Sequence, residues 1–365
     1  MTEKTTQTRL PSLATITLAF VLVSAVLGLG MAYVLISERA RAFEEASLQR
    51  ALETRTRGIQ MAIAQALHRE WVNLAATRQQ AIGQTPAELQ ERLNSIVGDG
   101  DIVSWAGFAE PDGTVIAASN GLLLGQNVGE RPWFREGLKG PFAGDVHEAV
   151  LLASLLPQTS EPLRFIDFAV PVDDGNGGVR GVLGVHLNAS WIKRIIDELA
   201  HALNVDIVIV RATGGTSISS VPDLPDLSGL ASLQRARTGA IGASLEQWPD
   251  DQAYFTLTVP ELTYQDLPKF GWNIVARIDG QAATVPAREM SNYLILRLLG
   301  MATILLLLTA LYIVAFIRPL SRLAKNAAEI AEGHETYPME SNRTREIQMI
   351  SSALARLQAD SRHSD

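Results

Sequence analysis

The stretch Glu130-Arg131-Pro132-Trp133-Phe134-Arg135-Glu136-Gly137 sets an arginine, a proline and two aromatics in consecutive positions between glycine-rich segments. Proline fixes its own φ and drives the residue before it into extended backbone, so Arg131 has little conformational entropy left to lose. A guanidinium held in this way grips a carboxylate, or a polarised ring oxygen, with two parallel hydrogen bonds. Trp133 or Phe134 then supplies a rigid apolar wall. The same residues have a second reading, in which both aromatics are core and Arg131 pairs with Glu130 or Asp145. The residues alone leave the two open.

More polar residues follow within reach of the same chemistry. Asp145, His147 and Glu148 form a cluster, Asp167 interrupts the apolar run Leu163–Val172, and His186 sits in Gly181–Leu187. Strand alternation places Val182, Gly184 and His186 on one face. One reading has these groups completing a pocket around Arg131; another makes Asp145, His147 and His186 metal ligands. Nothing in their spacing fixes a metal, so no metal and no cofactor is expected. His68, His201, His334 and His363 read as solvated or packed.

Two hairpins must position these residues. Apolar runs on either side of Asp112-Gly113 predict the first, and Leu163–Val172 with Arg180–Ala189, flanking Asp173-Asp174-Gly175-Asn176-Gly177-Gly178, predict the second. Before them, residues 37 to 82 lack proline and are rich in strong helix formers. Ile59, Ile63, Leu67, Trp71 and Leu74 recur at spacings of four and three, which draws one apolar stripe down a long helix able to pack on a sheet or on a second copy. Ser190 signals the start of a helix to Leu203, and a reduced repeat follows: strands at 205–210, 253–260 and 271–279, in a second sheet expected to support rather than bind.

The chain of 365 residues carries a net charge of −8 and no cysteine. That balance, with no basic cluster interleaved with aromatics, argues against nucleic acid as a partner, and disulfides play no part. Residues 13–36 and 298–317 contain no charged side chain, and each run is as long as the roughly 20 residues a helix needs to cross a bilayer. The first exceeds a signal h-region and continues into a helical pattern, so it reads as an uncleaved anchor. Lys4 and Arg9 before the first run, and Arg318, Arg322 and Lys325 after the second, place both ends in the cytoplasm, although Arg39 and Arg41 weaken that assignment. Residues 37–291 then lie outside the inner membrane.

Beyond the second span, Leu320, Leu323, Ala327 and Ile330, then Ile347, Ile350, Leu354 and Leu357, repeat a three-four-three spacing. Two short amphipathic helices cannot bury such seams alone, and a dimeric four-helix bundle is the expected solution. This tail, residues 318–360, resembles a HAMP linker, on Pro319 shortly after the span, Gly333 in Ala327–Glu335, and Glu346 opening the second helix.

Taken together, the chain resembles a double Cache sensor of bacterial chemoreceptors, sensor kinases and diguanylate cyclases. The resemblance rests on Gly129–Gly140, Gly144–Ala153, Arg164–Leu187 and Gly271–Asp279. It implies an α+β fold: a long N-terminal stalk helix, two PAS-like antiparallel-sheet modules at about 83–190 (distal) and 204–285 (proximal), two transmembrane helices and a cytoplasmic HAMP-like hairpin after a short N-terminus, 1–12. It implies a ligand site under the distal loop, at Arg131, Trp133 and Phe134. Members that sense amino acids carry an aspartate where this chain has His186. An imidazole is a poor partner for an ammonium, which favours a carboxylate, a purine-like ring or another anionic metabolite over a simple amine.

No phosphate loop, nucleophile elbow, zinc-helix motif or kinase or cyclase signature occurs, so no enzyme is expected. The sequence therefore predicts a homodimeric receptor in a bacterial inner membrane, its sensor domain periplasmic or extracellular, that binds a small molecule and signals through its tail. Few residues follow Leu357, so either a separate cytoplasmic partner receives the signal or the chain is a truncated relative of a longer receptor. A ligand-free scaffold that binds a periplasmic protein is the rival reading; a membrane-anchored hydrolase is a weaker third.

Overall fold

The computed structural model describes residues 11–148, 152, 155, 162–224, 226–334, 336 and 344–361, with backbone alone for 281–292 and 360–361. Lys4, Arg9, most of the apolar run 149–157, Pro338 and His363 lie outside the described residues. The chain divides into two compact units, Glu44–Val285 and a second made of Met1–Phe43 with Pro286–Asp365.

Helix α1 runs from Leu13 to Ala81 without interruption. Its predicted stripe is buried in full, with Ile59, Ile63 and Leu67 at 0% exposure. The stripe joins the principal core with Ile166, Phe168, Leu183 and Val185 of one sheet and Ile207, Ile209, Leu257 and Ile274 of another, so its partner is sheet. Burying each such side chain contributes about 1.5–3 kcal/mol. Helix α2, Pro86–Val97, starts at a capping box in which Thr85 and Glu88 satisfy each other's backbone, with Pro86 at the first turn.

The first sheet holds β1 (Val103–Ala109), β2 (Val115–Ala118), β3 (Phe142–Ala143), β4 (His147–Glu148), β5 (Arg164–Asp173) and β6 (Val179–Asn188) in the order β2-β1-β6-β5-β3, with β4 also on β5. All its pairings are antiparallel. Both predicted hairpins form, β1–β2 around Asp112-Gly113 and β5–β6 around residues 174–178. Alternation sends Ile166, Phe168 and Val170 towards the α1 core and Phe165 and Ala169 into a second core on the opposite face, with Trp105, Trp133, Phe134 and Val182. Between β2 and β3 lies the short helix α3, Pro132–Gly137.

Helix α4, Ala189–Leu203, follows β6 directly; its cap is Asn188, which accepts from the Ser190 amide, so the predicted start shifts by two residues. The second sheet comprises β7 (Asp206–Arg211), β8 (Thr216–Ser219), β9 (Gly242–Gln247), β10 (Ala253–Val259) and β11 (Trp272–Asp279), ordered β8-β7-β11-β10-β9 and antiparallel throughout. Helix α5, Ala231–Thr238, covers its other face through Leu233 and Ala236, packed with Val208, Val210, Trp248 and Val275.

Helix α6, Gly280–Tyr312, widens to a π turn over Ile313–Ile317 and continues as α7, Arg318–Ala331. Pro319 stands just beyond that turn; its ring crowds the carbonyl four residues back, and a wider helix relieves the crowding. Gly333 has φ +80° after α7, and Glu346 lies in the first turn of α8, Arg345–Ser361. Helices α7 and α8 pack together and bury Leu323 and Ile347, while Ile350 and Leu357 stay exposed. Among the described residues, two helices are long and apolar enough to cross a membrane: Leu13–Ala81 and Tyr293–Ala331.

Candidate functional site

The site occupies the face of the first sheet turned away from α1. On β5 and β6 the strands are in register at Asp167↔His186, and alternation turns both towards α3. Val182 and Gly184 share that face, as predicted from their spacing. Gly184 has a specific task there: a Cβ would stand 2.6 Å from ring atoms of Trp133, so the missing side chain lets the indole lie against the strand.

Arg131 caps α3 in extended backbone, φ −76° and ψ 135°, and Pro132 opens the helix. The rigid loop expected from sequence is thus a helix start, with the same effect on Arg131. Its guanidinium has no hydrogen-bond or ion-pair partner among the described residues and borders a cavity of about 490 Å³. That volume falls in the range of small-molecule pockets, roughly 300–1,000 Å³. Trp133, Phe142, Leu123, Val128 and Phe165 supply apolar wall, and Asp145, His147, Glu148, Asp167, His186 and Arg211 supply polar groups.

Phe134, expected to bind ligand, does not line the cavity. It is 2% exposed and packs edge-to-face behind Trp133, with ring centroids 5.9 Å apart. The rotation of about 100° between adjacent helical residues separates the roles: Trp133 faces the cavity while its neighbour points into the core. Pairing of Arg131 with Glu130 or Asp145, the other reading of the sequence, is not seen.

Asp167 is 3% exposed and lies between two histidines. His147 Nε2 stands 2.9 Å from each carboxylate oxygen, and His186 Nδ1 stands 2.6 Å from Oδ1. His147 Nδ1 lies 3.0 Å from the Glu148 carbonyl oxygen. Both neighbours of the His147 ring are acceptors, an arrangement that favours the doubly protonated ring. The hydrogen bond to Asp167 accordingly raises the His147 pKa, against burial and the charge of Arg131. Burial pushes the Asp167 carboxyl up, but the charge of His186, the hydrogen bonds from both histidines and the charge of His147 outweigh it and hold it at about 2. His186 is clamped between Trp105, with centroids 4.8 Å apart, and Phe165, at 5.4 Å.

Asp145 lines the cavity but spends its carboxylate on the second sheet. Oδ1 accepts from Ser217 Oγ and Trp272 Nε1, each at 2.7 Å, and Oδ2 lies 3.3 Å from Arg211. It therefore does not converge with His147 and His186 as a metal-ligand reading required; Asp167 takes that place. Arg211, at the end of β7, brings the second sheet into the cavity wall, where the sequence led us to expect support alone. Trp105, Phe165 and Arg211 were absent from the predicted site. A signal for Phe165 was available, since it sits two residues from Asp167 and so on the same strand face.

No family model matches the chain, and no curated protein matches it by sequence. Solved structures do match. Methyl-accepting chemotaxis protein X superposes with a TM-score of 0.51 at 14% identity, over 64% of this chain and 98% of that one. The ligand-binding domain of Campylobacter jejuni chemoreceptor Tlp3, in complex with 4-methylisoleucine, gives 0.50 at 10% identity, over 67% and 95%. An extracellular ligand binding receptor from Desulfohalobium retbaense DSM5692 gives 0.46 at 15% identity over 60% of this chain, which spans 39% of that receptor's length. The stalk helix and two antiparallel sheets of this chain have the fold of chemoreceptor ligand-binding domains.

Proposed function

We propose that the chain is a membrane-anchored sensory receptor whose first-sheet module binds a small carboxylate or related anion at Arg131. The observation that carries this reading is Arg131, whose guanidinium is unpaired among the described residues and whose backbone is fixed by Pro132 beside Trp133 at a cavity of about 490 Å³. A backbone already fixed reduces the entropy lost on binding, and an apolar wall strengthens charge-assisted hydrogen bonds.

The Tlp3 domain holds an amino acid derivative. In this chain the carboxylate that would meet an ammonium, Asp167, already accepts from His147 and His186. That engagement favours an anion without an amine. Trp133, Asp145, His147, Asp167 and His186 shape the site around Arg131, and the chain does no catalysis.

In the same reading, 13–36 and 298–317 are membrane spans, 37–291 is the external sensor, and 318–360 is a HAMP-like linker. The exposed Ile350 and Leu357 suit the seam of a homodimeric bundle, and a separate cytoplasmic protein would take the signal. Ligand binding moves the tail only if it favours one of two packings over the other. The test is a thermal-shift screen of residues 37–291 against mono- and dicarboxylates, purines and amines, with calorimetry on each hit. Anions are expected to bind, and Arg131→Ala should weaken them at least tenfold. Unchanged affinity in that variant would place the ligand elsewhere.

A further inference from the structure

We infer that His147, Asp167 and His186 form a binding site for a divalent transition-metal ion of the zinc class, within the wall of the cavity. This goes beyond the anion reading and does not depend on it. Three observations carry it.

The first is the donor set. One nitrogen from each imidazole and one carboxylate oxygen lie within 4.8 Å of one another, the composition that suits zinc, cobalt or nickel rather than calcium or magnesium. A tetrahedral ion with bonds of about 2.0–2.2 Å sets its donors about 3.4 Å apart. The present nitrogen-to-oxygen separations of 2.6–2.9 Å need about 0.5–0.8 Å of opening. His147 has room for it, because it sits on the two-residue strand β4 with its side chain 43% exposed.

The second observation is the support behind the donors. The second ring nitrogen of His147 donates to the Glu148 carbonyl, the kind of outer contact that orients a metal-bound imidazole. His186 is held between Trp105 and Phe165, which fixes its ring plane before any ion arrives. Gly144 leaves the space at Asp167: a Cβ there would stand 3.1 Å from the Asp167 Cβ.

The third observation is access. All three residues line the cavity, so an ion bound to them keeps coordination positions open to it. Each imidazole binds as a neutral ligand through the nitrogen that now faces Asp167: a doubly protonated ring releases that proton to solvent, and a neutral ring gives it up while taking one up at its other nitrogen. If the anion reading also holds, an incoming carboxylate would meet the ion and the nearby Arg131 together.

The experiment uses the tag-free chain of 365 residues in detergent, stripped with a chelator and titrated with zinc chloride, uptake being read by elemental analysis and, with cobalt chloride instead, by visible absorption. One ion per chain is expected, with ligand-field bands of low-symmetry cobalt. His147→Gln, at the exposed rim where folding is least disturbed, should weaken uptake at least tenfold, while His201→Gln and Arg131→Ala should retain it. Absence of stoichiometric uptake by the unaltered chain overturns the inference. So does uptake that His147→Gln leaves unchanged, or that His201→Gln loses to the same extent. Retention of metal by Arg131→Ala keeps this outcome separate from failure of the anion reading, which concerns that residue alone.

Discussion

Asp167 and His186 are register partners on the β5–β6 ladder, and their side chains meet at 2.6 Å on the cavity face of the sheet. The pair is buried, and the carboxylate has its second partner, His147, on a different strand. Removing the buried carboxylate leaves both imidazoles without it, and breaking a buried pair in this way costs about 3–5 kcal/mol. Asp167→Ala is therefore expected to lower the unfolding free energy of the unit Glu44–Val285 by at least about 2 kcal/mol, measured by urea denaturation. A change within about 0.5 kcal/mol would show that the three side chains do not act together.

Gly184→Ala should act on Trp133 and on little else. The added methyl would stand 2.6 Å from two carbon atoms of the indole, so the ring must leave the strand. Overpacking of this kind costs about 1–3 kcal/mol. Near-ultraviolet circular dichroism should change together with the unfolding midpoint, and an unaltered aromatic spectrum would contradict the packing described.

Asp145 joins the two sheets. Replacing it with alanine leaves the Trp272 indole N–H and the Ser217 hydroxyl without their acceptor, a loss of about 1–3 kcal/mol. Hydrogen exchange should quicken in residues 216–219 and around 272 while the β1–β2 hairpin keeps its protection. Equal acceleration in both regions would mean global destabilisation instead.

A pH dependence follows from Asp266. Hydrogen bonds from His68, then Trp71, both on α1, hold its carboxyl below the usual carboxylate value. A depressed folded pKa contributes stability that is present above the unfolded value, about 3.9, and is lost as pH falls through the folded one. Asp266→Asn should therefore melt below the unaltered chain at pH 6, and the gap should close towards pH 3. Since Asp266 is largely exposed, the gap is expected to be small and reduced by salt. A gap independent of pH would assign the effect to something other than this charge.

What could be read in the sequence was what depends on near neighbours. The α1 stripe, the two hairpins and the shared face of Val182, Gly184 and His186 each follow from a period of 3.6 or 2 and a turn signal. Strands β8 and β9 escaped because Thr216–Ser219 and Gly242–Gln247 are short and carry few apolar residues; at the edges of the sheet they need no apolar run. Helix α5 has polar side chains at most positions and is held by Leu233 and Ala236, too few to make a pattern. Phe134 was misplaced because adjacent helical residues differ by about 100°, which a loop reading ignores. Arg211 reaches the cavity through contacts between sheets far apart in sequence, which no local spacing records.

The acceptor shared by Ser217 and Trp272 bears on how this fold can be recombined. A chimaera that transplants residues 83–190 alone would carry Asp145 into a foreign second sheet, and with it lose the guanidinium that β7 lends to the cavity wall. The smallest portable unit that keeps this cavity wall whole extends through Trp272, and a domain swap cut at Asn204 should leave the Asp145 carboxylate without Ser217, Trp272 and Arg211.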